Sequence, residues 1–117
     1  MSDTVHQFTM GEFTGTILRE GFFRMGPTST FFEGASPDEL EFVFDRYGLQ
    51  AEGVDLSVTC LLLERGNQRI LIDCGAGQRG YRKGLGRLPQ SLNEIGLQLT
   101  DITHVILTHV HFDHSVG

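Results

Sequence analysis

Four side chains with metal-binding chemistry fall within six residues of the 117-residue chain: His109, His111, Asp113 and His114. On extended backbone alternate side chains share a face, so His109, His111 and Asp113 are expected to point into one space, with His114 joining them if the chain turns after the strand. A single tetrahedral ion would struggle to use all four groups from so short a peptide, whereas two ions about 3.5–4 Å apart can share them, each completed by ligands from elsewhere. Imidazole and carboxylate suit zinc, with iron and manganese as alternatives. The competing explanation, an accidental polar strand end, accounts poorly for three histidines and an aspartate at this spacing after an apolar strand. His104 lies five residues before His109. Its odd–even parity puts it on the opposite face, and both it and His6 are expected to be structural or solvated. Thr108 is placed to hydrogen-bond within the cluster, though a strand threonine needs no such role.

The elements that must position these groups follow from pattern and punctuation. The apolar run Ile102–Leu107 is expected to be the strand that delivers the cluster. Residues 56–64 and 68–73 are two apolar, β-branched runs joined by Arg65-Gly66-Asn67, which predicts an antiparallel hairpin. Asp73 ends the second run beside the glycine-rich stretch 75–86, expected to be a loop near a site; a turn aspartate capping that loop is the plainer alternative. Ser36-Pro37-Asp38-Glu39 has the cap, first-turn proline and early acids of a helix start, Leu40, Val43, Phe44 and Tyr47 mark its apolar face, and Gly48 its stop. A second short helix is expected from Pro89 to Ile95, ended by Gly96. Residues 7–10 and 13–19 are expected to be strands, and 21–34 an irregular segment. That segment holds Phe22, Phe23, Phe31 and Phe32, more readily core than substrate pocket.

A charge of −6, 39% hydrophobic residues and nine Phe describe one soluble globular domain with a modest core, and exclude collagen, low-complexity and disulfide-dense classes. No apolar run approaches the roughly 20 residues of a membrane span, and the start MSDTVHQFT lacks the pattern of a signal peptide, so no membrane association and a cytoplasmic location are expected. Fifteen acidic residues against nine basic ones, with no basic cluster beyond Arg79, Arg82, Lys83 and Arg87, argue against a nucleic-acid partner. Cys60 and Cys74 are equidistant from Asn67, and a hairpin turning near Gly66–Asn67 is expected to be able to place them opposite each other across two strands. Two reduced thiols are expected on compartment grounds, with a bridge as the alternative.

His109-Val110-His111-Phe112-Asp113-His114 resembles the signature H-x-H-x-D-H of the metallo-β-lactamase superfamily. Upstream, ILIDCGAG (70–77) resembles the strand-ending L-x-D-x-G-x-G that precedes the signature in that family, and THVILTH (103–109) resembles the strand leading into it. The arrangement of elements is most similar to the branch of N-acyl homoserine lactonases and methyl parathion hydrolase. The resemblance implies an α/β fold, the αββα sandwich, represented by its N-terminal half. It implies His109 and His111 as ligands of a first zinc ion, Asp113 and His114 as ligands of a second, and Asp73 as a group behind the ligands that orients an imidazole. In the family a hydroxide bridging the metals attacks a carbonyl or phosphoryl centre, and Asp113 would orient that nucleophile.

Members of the family are typically much longer and supply further histidines and a bridging aspartate from later strands. Residues 1–117 are therefore expected to be the N-terminal part of a single metallo-β-lactamase-like domain whose C-terminal half is absent. An uncovered sheet face would call for a homodimer or a chain supplying the missing half. The function implied is metal-dependent hydrolysis of a small-molecule ester, lactone or phosphotriester. A glyoxalase II-like thioesterase or a β-lactamase is the alternative within the family, and a non-catalytic metal-binding fragment or one part of a split protein the alternative outside it.

Overall fold

The computed structural model describes residues 5–117, apart from the side chains of 81–83. Its strands are β1 (Val5–Met10), β2 (Phe13–Met25), β3 (Val54–Arg65), β4 (Gln68–Ile72) and β5 (His104–Ile106). Its helices are α1 (Pro37–Tyr47), α2 (Leu88–Glu94) and the single turn α3 (Phe112–Ser115). Short 3-10 turns occupy Thr28–Phe31, Gly77–Lys83 and Leu99–Asp101. The strands form one sheet in the order β1-β2-β3-β4-β5. The β1–β2 and β3–β4 pairs are antiparallel, and β5 joins β4 in parallel. This mixed sheet with its helices is an α/β fold, as expected.

Two compact units make up the chain, residues 5–22 with 57–117 and residues 23–56. In the first, alternation decides what is buried: Thr16, Leu18 and Glu20 on β2, and Val58, Cys60 and Leu62 on β3. Helix α2 closes over this face with Leu88, Ser91 and Leu92, spaced for one helical stripe. The Ser91 hydroxyl donates to the Arg19 carbonyl at 2.7 Å. Leu18, Cys60, Leu62, Leu71, Leu88 and Leu92 form one apolar cluster, and each fully buried leucine stabilises it by about 1.5–3 kcal/mol.

In the second unit, α1 starts and stops as its sequence dictates. The Glu39 amide donates to the Ser36 hydroxyl at 3.3 Å, the Ser36 amide donates to the Glu39 carboxylate at 2.8 Å, and Gly48 closes the helix at φ 64°. Leu40, Val43 and Phe44 are half-buried, but Tyr47 is exposed and does not belong to the expected apolar face.

Four expectations need correction. Strand β2 runs through Gly21 to Met25, so 21–25 is not irregular; Gly21 takes φ 147°, and a β-carbon there would collide with the Gly84 carbonyl. None of Phe22, Phe23, Phe31 and Phe32 is buried, so they are not core residues. The hairpin pairs Arg65 with Gln68 around a two-residue turn, Gly66-Asn67, and not around Asn67. Continuing that register sets Cys60 opposite residue 73, one place away from Cys74, and both cysteines are free thiols. Finally, β5 covers only His104–Ile106, so the cluster residues lie beyond the strand and the parity argument does not reach them.

Candidate metal centre

The site is built where β4 and β5 end side by side. Parallel pairing of Ile72 with Ile106 is prolonged by the Asp73 amide, which donates to the Ile106 carbonyl at 2.9 Å. This sets the Asp73 side chain beside Thr108. Asp73 is buried and sits at φ 62°, the one non-glycine residue with positive φ among those described. Its carboxylate is fully engaged. The Thr108 amide donates to Oδ1 at 2.8 Å, the Thr108 hydroxyl to Oδ2 at 2.8 Å, and His114 Nδ1 lies 2.9 Å from Oδ2. Burial pushes the Asp73 carboxyl up, but the Thr108 amide, the Thr108 hydroxyl and His114 outweigh it and hold the group below its ordinary range.

Proton accounting then orients two imidazoles. An ionised carboxylate only accepts, so His114 Nδ1 carries a hydrogen that it donates to Asp73. The Thr108 hydroxyl has one hydrogen and gives it to Asp73, so its oxygen accepts from His109 Nδ1, 2.9 Å away. Both Nδ1 atoms are donors, and Nε2 is the open position on each ring.

The turn α3 brings the rest together. His111 caps it, the Ser115 hydroxyl donates to the His111 carbonyl at 2.9 Å, and the Cys74 amide donates to the His114 carbonyl at 2.9 Å. The His109 ring centroid lies 4.8 Å from that of His111 and 4.2 Å from that of His114. His114 Nε2 lies 3.3 Å from an Asp113 carboxylate oxygen. All four motif residues thus meet, gathered by a bend and a helical turn and not by strand alternation as expected. His104 stays outside the cluster, with its Nδ1 2.8 Å from the Thr103 hydroxyl.

One ligand atom each from Asp73, His109 and His114 lies within 4.8 Å of the others. Asp73 is committed to Thr108 and His114, so the donors open to a divalent cation are Nε2 of His109 and of His114 and the Asp113 carboxylate, and that set fits one. An imidazole whose Nδ1 is already committed turns its Nε2 toward a carboxylate oxygen, and lone pairs that face each other this way need a proton or a cation between them. Beside the turn lies a cavity of about 410 Å³, bounded by Glu20, Cys74, Leu88, Pro89, Leu99 and Val116 among others. Sequence reasoning did not single out Glu20; its place in the buried alternation of Thr16 and Leu18 was the available signal.

The family model of the metallo-beta-lactamase superfamily matches residues 53–117, more than half of the chain, and the chain belongs to that superfamily. No curated protein matches it. Among solved structures, AidC, a dizinc quorum-quenching lactonase in complex with an N-acylated L-homoserine product, is 26% identical with a TM-score of 0.84, over 97% of this chain and 39% of that one. AbOPH, a hydrolase of the beta lactamase superfamily, is 28% identical with a TM-score of 0.82, over 97% of this chain and 38% of that one. These two agree with the resemblance to the lactonase-like branch. A probable metal-dependent hydrolase from Staphylococcus aureus shares the fold at 22% identity and a TM-score of 0.70, over 94% of this chain and 42% of that one. The chain spans about two-fifths of the length of these structures. Among the described residues no helix is long and apolar enough to cross a membrane.

Proposed function

We propose that the protein is a dinuclear zinc hydrolase acting on a small-molecule ester, lactone or phosphotriester in the cytoplasm, with residues 1–117 the N-terminal part of one metallo-β-lactamase-like domain. The observation that carries this reading is the Asp73 network, which presents Nε2 of His109 and of His114 outward beside His111 and Asp113. His109 and His111 hold the first ion, Asp113 and His114 the second, and Asp113 also orients the attacking water. Asp73 and Thr108 hold the imidazoles in the required tautomer. The divalent ions supply Lewis-acid activation of water and of the substrate oxygen. The remaining ligands come from residues beyond this chain, in the same protein or in a partner, a second copy included. The relation to AidC, a lactonase, supports a lactone substrate, the relation to AbOPH supports hydrolysis, and the cavity beside the turn is of a size for small ligands.

The test is made on the natural gene product that carries this chain. Its zinc content is determined, and turnover is measured on a lactone, a phosphotriester, a thioester and a β-lactam. His111→Ala and Asp113→Asn are each expected to abolish turnover with the melting temperature of the metal-free protein nearly unchanged. Unchanged activity in either variant would remove the metal assignment. That the described motif offers each ion only two ligands favours a second reading, in which the 117 residues bind metal without turnover. Weak, easily chelated zinc would support it, and tight binding of two ions by the isolated chain would refute it.

A further inference from the structure

Glu20 is a charged side chain in a position that alternation reserves for the core. It follows Thr16 and Leu18 on the inner face of β2 and is 0% exposed. Neither of its carboxylate oxygens has a hydrogen-bond partner of full geometry. An apolar residue in its place would spare the cost of a buried, unpaired carboxylate. The backbone amides of Gly86, Ala76 and Gly77 approach it without closing to ideal geometry, and the Asp113 carboxylate is near enough to repel its charge. Burial pushes its carboxyl up, and these amides pull it back only in part.

Those amides belong to the two ends of one loop. At its start, a β-carbon on Gly75 would collide with the Glu20 side chain, so the loop can only pass there as glycine. At its end, the Arg87 amide donates to the Glu20 carbonyl at 2.8 Å, and the Phe22 amide donates to the Gly84 carbonyl at 3.2 Å. The start of the loop also touches the candidate metal centre. The Gly75 carbonyl accepts from the Val116 amide at 3.1 Å and from the Gly117 amide at 2.9 Å, and the neighbouring Cys74 amide holds the His114 carbonyl.

We propose that Glu20 is a positioning residue: its carboxylate clamps the two ends of the glycine-rich loop 75–86 and, through Gly75, sets the turn that carries Asp113 and His114. The effect on the metal rests on the reading of that turn as a zinc site; the clamp on the loop does not.

Two measurements on the natural gene product test this, with Zn2+ as the probe for the site. The first needs no substitution. Amide hydrogen exchange at Ala76, Gly77 and Gly86 is expected to be as slow as at Leu62 and Leu71 in the sheet. Exchange there as fast as at the exposed Gly34 and Gly66 overturns the clamp. The second uses Glu20→Gln, which keeps the shape and removes the charge. Zinc affinity is expected to fall, by less than the roughly 10- to 100-fold typical of a group that touches a metal ligand, because Glu20 acts through Gly75 and not on an imidazole. The visible absorption of the Co2+-loaded protein should shift, while the melting temperature of the metal-free protein holds or rises. A folded Glu20→Gln variant with unchanged zinc affinity and an unchanged Co2+ spectrum overturns the positioning role. If the unsubstituted protein binds no zinc, the metal-site reading fails instead, and amide exchange alone decides on the clamp.

Discussion

At φ 62°, Asp73 occupies the left-handed region, which costs an L-residue of order 1 kcal/mol or more and which asparagine and glycine tolerate best. That makes Asp73→Asn the clean probe of its charge, since the backbone conformation survives while a donor replaces one acceptor facing Thr108 and His114. Zinc affinity is expected to fall about 10- to 100-fold by competition with a chromophoric chelator, with the far-UV circular dichroism unchanged. Equal affinity would deny Asp73 its orienting role. The cysteines give a second test at this scale. Burial pushes both thiols up, Cys60 more strongly, so less thiolate is available at pH 8 than in a free cysteine. Iodoacetamide is expected to label the half-buried Cys74 first and Cys60 only on unfolding; the reverse order would contradict the burial described. The motif itself was legible in the sequence because four potential ligands, three histidines and an aspartate, at tight spacing are rare by accident. The partner of Asp73 was not, because His114 reaches it only through a parallel register spanning 41 residues.

Helix α1 was legible to the residue because everything that defines it is local. Its capping box gives a direct test: Ser36→Ala is expected to lower stability by about 1 kcal/mol in chemical denaturation at neutral pH. The Ser36 amide and hydroxyl hold the Glu39 carboxyl below its ordinary value of 4.5. A lowered carboxyl stabilises the fold above its unfolded value, and that contribution is lost as the pH falls through the folded one. The penalty of Glu39→Ala should therefore shrink below about pH 4; a penalty independent of pH would exclude the reciprocal bond from the Ser36 amide to the Glu39 carboxylate. The hairpin β3–β4 was legible from its alternation and its Gly66-Asn67 turn. Its centre was misplaced by half a residue, since equal spacing of two cysteines does not distinguish a two-residue from a three-residue turn, and half a residue decides which residues face each other. Strand β2 was read too short because Gly21 looked like a breaker. The structure uses that glycine to let the Gly84 carbonyl approach the strand.

For the molecule as a whole, patterning indicated short strands with two short helices, and the two motifs in order indicated the superfamily and its α/β fold. The parallel closure of β5 on β4 lay beyond a reading of pattern, because β5 is only three residues long and gains its place from a distant neighbour. That closure has a consequence for kinetics. The crossover 73–103 must be brought round, at an entropic cost, before Ile72 meets Ile106, and only then do Asp73 and His114 meet. Local pieces such as the β3–β4 hairpin can form early, whereas the turn that carries Asp113 and His114 is expected among the last contacts to assemble. Interactions absent from the transition state slow escape from the native state and leave its formation rate alone. Zinc is therefore expected to lengthen the unfolding time in stopped-flow experiments without speeding refolding, and a refolding rate that climbs with zinc would move the turn into the folding nucleus.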